Sequence, residues 1–68
     1  MVNRKLLEKK IKESGKKRYY LADKCKLSRQ GFRNCVKGDA YFNEKHIKIL
    51  CNELNITSPI EKEAIFFA

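Results

Sequence analysis

Arg29, Gln30, Arg33 and Asn34 fall within one short helical pattern, and Phe32, Cys35 and Val36 fall between them. Burying the apolar set turns the guanidinium and carboxamide set to solvent. Those groups carry the donors and acceptors that match base edges in a DNA major groove. Ser28 precedes them as a favourable N-cap, and Gly38 follows as a stop. Leu27 before the cap and Phe32 after it suit a hydrophobic staple. Just upstream, Leu21, Ala22 and Cys25 lie on one side of a helix covering about Lys17 to Cys25. Two such short helices share a core and cross steeply.

Three further helices hold this pair. The first runs from about Asn3 to Ser14, with Leu7 and Ile11 as its inner stripe, Leu6 beside them and Gly15 at its end. Asp39-Ala40-Tyr41-Phe42 is a loop, and Asn43 caps the fourth helix, with Phe42 and Ile47 offering a second staple. Ile47, Leu50, Cys51 and Leu54 follow the i, i+3, i+4, i+7 pattern up to Asn55. The last helix opens Ser58-Pro59-Ile60-Glu61, with Ser as cap and Pro at the first helical position; Ile60, Ala64 and Phe67 form its apolar stripe. No stretch alternates long enough for a strand. The predicted fold is all-α: one compact five-helix domain over residues 1–68.

Charge is unevenly placed. Residues 1–37 hold thirteen Lys/Arg against three Asp/Glu, and residues 38–68 hold three against five, within a net charge of +8. That split favours a face for polyanions over general solubilisation. Lys9, Lys10 and Lys12 read as a solvated face acting through the field alone. No apolar run is long enough for a membrane span, and Met1-Val2-Asn3-Arg4-Lys5 leads into an amphipathic pattern rather than a signal peptide. A cytoplasmic protein is expected. Cys25, Cys35 and Cys51 are odd in number and sit at apolar positions, as buried free thiols do. With one histidine and no paired Cys or His spacing, no metal site is expected. The acids have no partner His or Ser at a catalytic spacing, so neither an enzyme nor a cofactor is expected.

Glu13-Ser14-Gly15, Leu21-Ala22, Leu27-Ser28-Arg29-Gln30-Gly31-Phe32, Lys37-Gly38 and the closing Ile65-Phe66-Phe67-Ala68 carry a resemblance. The chain resembles the Cro/repressor-type (XRE-like, lambda-repressor-like) helix-turn-helix domains of phage and bacterial regulators, over about residues 4–67. Its style is that of small phage-encoded repressors. The resemblance implies a DNA-binding transcriptional regulator, Cro-like or repressor-type, switched by concentration or competition. It implies that Arg18 clamps a phosphate and that Ser28, Arg29 and Gln30 read bases. Arg33 and Asn34, one turn on, reach bases or the flanking backbone. Lys37, Tyr41, Asn43 and Lys45 hold the other phosphate strand. The one departure is Lys26, where the family's turn usually has Gly in a positive-φ conformation.

Set against bland readings, Arg29 and Gln30 favour base contact over plain solvent exposure. Arg33 divides between base and phosphate, and Asn34 between contact and surface. Lys17, beside Arg18 at the start of the second helix, favours phosphate. Ser28 is a cap first and a base contact second. Of Tyr19 and Tyr20, one should pack on the core and the other reach a phosphate. Ile65 and Phe66 cannot all be buried beside Ile60, Ala64 and Phe67, so some of this surface is expected to mediate a weak two-fold dimer; the alternative is that both phenylalanines, Phe66 and Phe67, close the monomer core. The expected partner is double-stranded DNA, as an inverted-repeat operator bound by a homodimer. The alternative is a protein-interaction module acting as antirepressor or co-regulator on a partner repressor. RNA binding lacks an exposed aromatic platform.

Overall fold

Four of the five helices start at a side chain that accepts a hydrogen bond from a free backbone N–H. In the computed structural model, which describes residues 2–67, the order is α1 (Arg4–Ser14), α2 (Arg18–Lys24), α3 (Arg29–Lys37), α4 (Glu44–Glu53) and α5 (Pro59–Phe66). The expectations placed on Met1 and Ala68 lie outside the described residues. Asn3, Ser28, Asn43 and Ser58 accept from the N–H groups of Leu6, Gly31, His46 and Glu61. Asn43 forms a full capping box, because its own N–H donates to His46 Nδ1 at 3.3 Å. The helix boundaries match those read from the sequence to within a residue or two, and no strand occurs among the described residues.

Two helices end by the same device on a non-glycine residue. At the end of α2 the N–H of Lys26 donates to the Asp23 carbonyl and that of Leu27 to the Ala22 carbonyl, at 3.0 and 2.9 Å. This is a complete Schellman closure, and it requires Lys26 to adopt φ 57°. The left-handed residue expected at this turn is therefore present, with a lysine supplying it. At the end of α4, Asn55 takes φ 57° and the Ile56 N–H donates to the Cys51 carbonyl. Each closure delivers an apolar residue, Leu27 or Ile56, back onto the core.

That core draws on every helix: Leu7 and Ile11 from α1, Leu21 and Ala22 from α2, Phe32, Cys35 and Val36 from α3, Ile47 and Leu50 from α4, and Ile65 and Phe66 from α5. Phe42, in the α3–α4 loop, joins it. Its ring lies edge-on to those of Phe32 and Phe66, at 5.8 and 6.0 Å between centroids. The three cysteines are free thiols. Cys25 and Cys35 are buried and Cys51 partly so. Burial pushes the Cys25 thiol up to about 11 and raises the other two.

Two expectations are corrected. Ile65 and Phe66 are 1% and 4% exposed and close the monomer core, while Ile60 and Phe67 stand 80% and 58% exposed, with Ala64 also outside. Ile65 and Phe66 are thus not surface dimer contacts. The Ile65 carbonyl accepts from the Asn3 N–H, and Glu61 pairs with Lys10 at 3.1 Å, so α1 fixes which side of α5 turns inward. Neither Tyr19 nor Tyr20 packs in the core, at 57% and 38% exposed. Cations cover their rings instead: Arg29 lies over Tyr19, and Lys24 and Lys16 flank Tyr20.

Phe66→Ala should destabilise the domain by about 3–5 kcal/mol, most of what a chain of this size holds in reserve. Ile60→Ser should stay within about 0.5 kcal/mol of the parent. Urea unfolding of the two variants checks the corrected register of α5. Lys26→Gly should stabilise by about 0.5–1 kcal/mol, as relief of left-handed strain exceeds the extra entropy of an unfolded glycine; the thermal midpoint reads this.

Candidate nucleic-acid interface

The outward side of α3 is sorted into two rows. Arg29, Arg33 and Lys37 recur every four residues and line a cleft of about 590 Å³ between α3 and the starts of α1 and α2. Gln30 and Asn34 form a second row, one residue further round. Ala22, Phe32 and Val36 floor the cleft, and Arg4, Lys17, Arg18 and Tyr19 complete its rim. Six cations thus surround one carboxylate, Glu8. Clustered like charge of this kind raises a strong local potential for anions.

Glu8 organises the cleft from within. Arg4 Nε donates to its Oε1 at 2.8 Å, and Arg18 approaches the same oxygen at 3.8 Å. The hydrogen bond from Arg4 holds the Glu8 carboxyl below its ordinary value, the Arg4 and Arg18 charges adding to this against the opposing effect of desolvation. A second ion pair secures the approach to α2. Lys16 Nζ donates to the Glu53 carbonyl at 2.7 Å and to its carboxylate at 2.9 Å. This ties the α1–α2 connection to the last turn of α4 and so fixes where Lys17 and Arg18 emerge. The Lys16 hydrogen bond leads the lowering of the Glu53 pKa.

The α3 side chains also hold one another. The Arg29 guanidinium sits 5.5 Å from the Tyr19 ring centroid, and Gln30 Nε2 donates to Asn34 Oδ1 at 2.9 Å. Lys37 pairs with Asp39 at 3.4 Å. Ser28 Oγ accepts from the Gly31 N–H at 2.9 Å, and a Cβ added at Gly31 would stand only 3.0 Å from that hydroxyl. Glycine keeps this first turn uncrowded.

Of the residues singled out in the sequence, Lys17, Arg18, Arg29, Arg33 and Lys37 come together around the cleft. Gln30 and Asn34 flank it on the outer side of α3. Ser28 caps α3, and with Tyr19, Asp23, Leu27 and Arg29 it lines a shallower depression. Tyr41 is 78% exposed on the loop, and Asn43 and Lys45 stand exposed at the start of α4; none of the three lines the cleft. The Asn43 carboxamide oxygen is occupied by its helix cap. Sequence reasoning missed Arg4 and Glu8 as members of this site and left open which of Tyr19 and Tyr20 would reach it; Tyr19 does. The Arg4–Glu8 spacing of four, which puts both on one side of α1, was the available signal. Among the described residues no group of three His, Cys, Asp or Glu side chains gathers as a metal set. Among the described residues no helix is long and apolar enough to cross a membrane. No family model, curated protein or solved structure matches the chain.

Because the folded pKa of Glu53 is depressed, the stability it contributes is full above the ordinary carboxylate value of about 4.3 and disappears as pH falls through the lower folded value. Glu53→Gln should therefore melt below the parent at neutral pH, and the two melting curves should converge in acid. Circular dichroism melts across that range check it.

Proposed function

We propose that the protein is a sequence-specific DNA-binding regulator of transcription, with α2, the Lys26 turn and α3 acting as a helix-turn-helix and α3 entering the major groove. The observation that supports this best is the sorting of α3 into a cationic row facing the cleft and an amide row beside it. A duplex offers two kinds of partner, phosphates and base edges; the cationic row supplies groups for phosphates and guanine edges, and the amide row supplies Gln30 for an adenine edge. Arg4, Lys17, Arg18 and Lys37 neutralise phosphates. Arg29 and Arg33 suit guanine O6 and N7, and Gln30 suits adenine N6 and N7. Tyr41, Asn43 and Lys45, outside the cleft, take the phosphates of the other strand, as the resemblance implies. The reading agrees with the resemblance to Cro-like and repressor-type regulators. It has no catalytic step.

Two chains on an inverted operator would place their half-sites about one helical turn apart. The surface left for protein contact is the one that Ile60 and Phe67 expose, where Phe67 borders a groove also lined by Ile47, Cys51 and Ile56. This surface also favours the second reading, a module that binds a partner repressor. Salt-dependent duplex binding separates the two readings.

Selection of bound duplexes from a random pool should yield a preferred site. If about four phosphates are neutralised per chain, log K should fall with log salt at a slope near −3.6. Binding that is indifferent to ionic strength would reject the proposal. Gln30→Ala should cost about 1–3 kcal/mol on the preferred site and far less on a scrambled duplex. Arg18→Ala should weaken both alike, because a phosphate carries no base identity. Equal losses on the two duplexes for Gln30→Ala would remove α3 from the reading role.

A further inference from the structure

A carboxamide carries an acceptor on one side and a donor on the other, and rotating it by half a turn exchanges them. A free glutamine on a helix surface therefore presents either edge to a base. Gln30 is not free: its Nε2 donates to Asn34 Oδ1 one turn along α3. That bond leaves Gln30 Oε1 open as an acceptor and one Nε2 hydrogen open as a donor. The remaining pair complements adenine, whose N6 donates and whose N7 accepts. It does not complement guanine, whose O6 and N7 both accept.

Asn34 is built to hold rather than to touch. It is half-buried where Gln30 is exposed. Its backbone carbonyl accepts from the N–H groups of Asp39 and Ala40, at 2.9 and 3.2 Å, so the closing turn of α3 fixes its backbone, and its side-chain oxygen is the partner of Gln30. It also lies a full turn further from the N-terminal end of α3, the end that approaches the bases in the proposed docking.

We propose that Asn34 is a positioning residue that sets Gln30 as an adenine reader, and that it does not itself contact a base. This rests on the DNA-binding proposal above and deepens it by naming what chooses the base. Asn34 acts through its side-chain oxygen, and only an oxygen acceptor at that place keeps Gln30 in the reading orientation. Losing Asn34 leaves the Gln30 amide free to turn, so preference falls although Gln30 remains.

The test uses the preferred duplex and a second duplex with adenine replaced by guanine at the base pair whose identity stops mattering in Gln30→Ala. Asn34→Ala should lower the adenine-over-guanine preference roughly tenfold, within the range a bidentate contact commands. Asn34→Asp keeps the oxygen acceptor, so it should keep the preference while its charge weakens binding to both duplexes alike. The Gln30→Ala/Asn34→Ala double variant should lose no more preference than Gln30→Ala alone. An unchanged preference in Asn34→Ala overturns the proposal. So does a loss in Asn34→Asp as large as in Asn34→Ala, or a second base pair losing its identity in the double variant. A parent protein that shows no preferred, salt-dependent duplex fails at the earlier step, and that failure is seen before any variant is made. Asn34 has one side-chain bond, on the surface, so unaltered melting of both single variants is the expected control.

Discussion

Phe32, Cys35 and Val36 have to leave water together, and most of what α3 presents to solvent is the complement of that requirement. Three apolar residues at helical spacing fix the rotation of a nine-residue helix about its axis. Once they are packed against α1 and α2, Arg29, Arg33 and Lys37 can only fall along the cleft, and Gln30 and Asn34 only beyond it. The Ser28 cap fixes where the helix starts, and the Lys26 closure fixes the angle at which the chain arrives. Packing, capping and turn geometry thus agree on one placement of the polar side chains, and such agreement is what lets a small domain hold a surface rigid.

Gathering six cations around one cleft has an electrostatic cost that the fold meets locally. Glu8 sits among them, bonded to Arg4 and close to Arg18, and relieves part of their repulsion. Exposed pairs of this kind contribute little to stability. Their larger effect is geometric, since one carboxylate draws arginines from two different helices to a common point. Tyr19 does the same for Arg29 by offering a ring face. The charge that remains unneutralised does not stabilise the fold, and that is the physical reason behind the proposed polyanion-binding role.

The opposite side of the molecule follows a different logic. Phe42, in a loop, connects the rings of Phe32 and Phe66 and so joins the helix of the candidate site to the last helix of the chain. Lys16 and Glu53 make a second link, between the start of α2 and the end of α4. The first link reaches the cleft only through Phe32 in its floor and the second lies outside it, yet both determine the relative positions of the helices that line it. With Ile65 and Phe66 committed to this framework, the large apolar side chains that this end of the chain leaves exposed are Ile60 and Phe67.

The local features were legible in the sequence because they are local. Caps, stops and apolar spacing involve residues within four positions of each other, so Ser28, Asn43, Ser58, Gly15, Gly38 and the inner stripes of α1 to α4 could be read without the fold, whereas the left-handed Lys26 was expected only from the resemblance. The outward face of α3 was legible for the same reason, as the remainder of its buried stripe. The inward side of α5 was not. Ile60, Ala64 and Phe67 make a helical stripe, and Ile65 and Phe66 make the opposite one. The choice between them was decided by α1, through Asn3 and Lys10, and by Phe42, none of them near α5 in sequence. The meeting of Arg4 and Glu8 with Arg18, Arg29 and Arg33 was likewise a tertiary result. Periodicity says which side of a helix is wet, and only packing between distant segments says what that wet side faces.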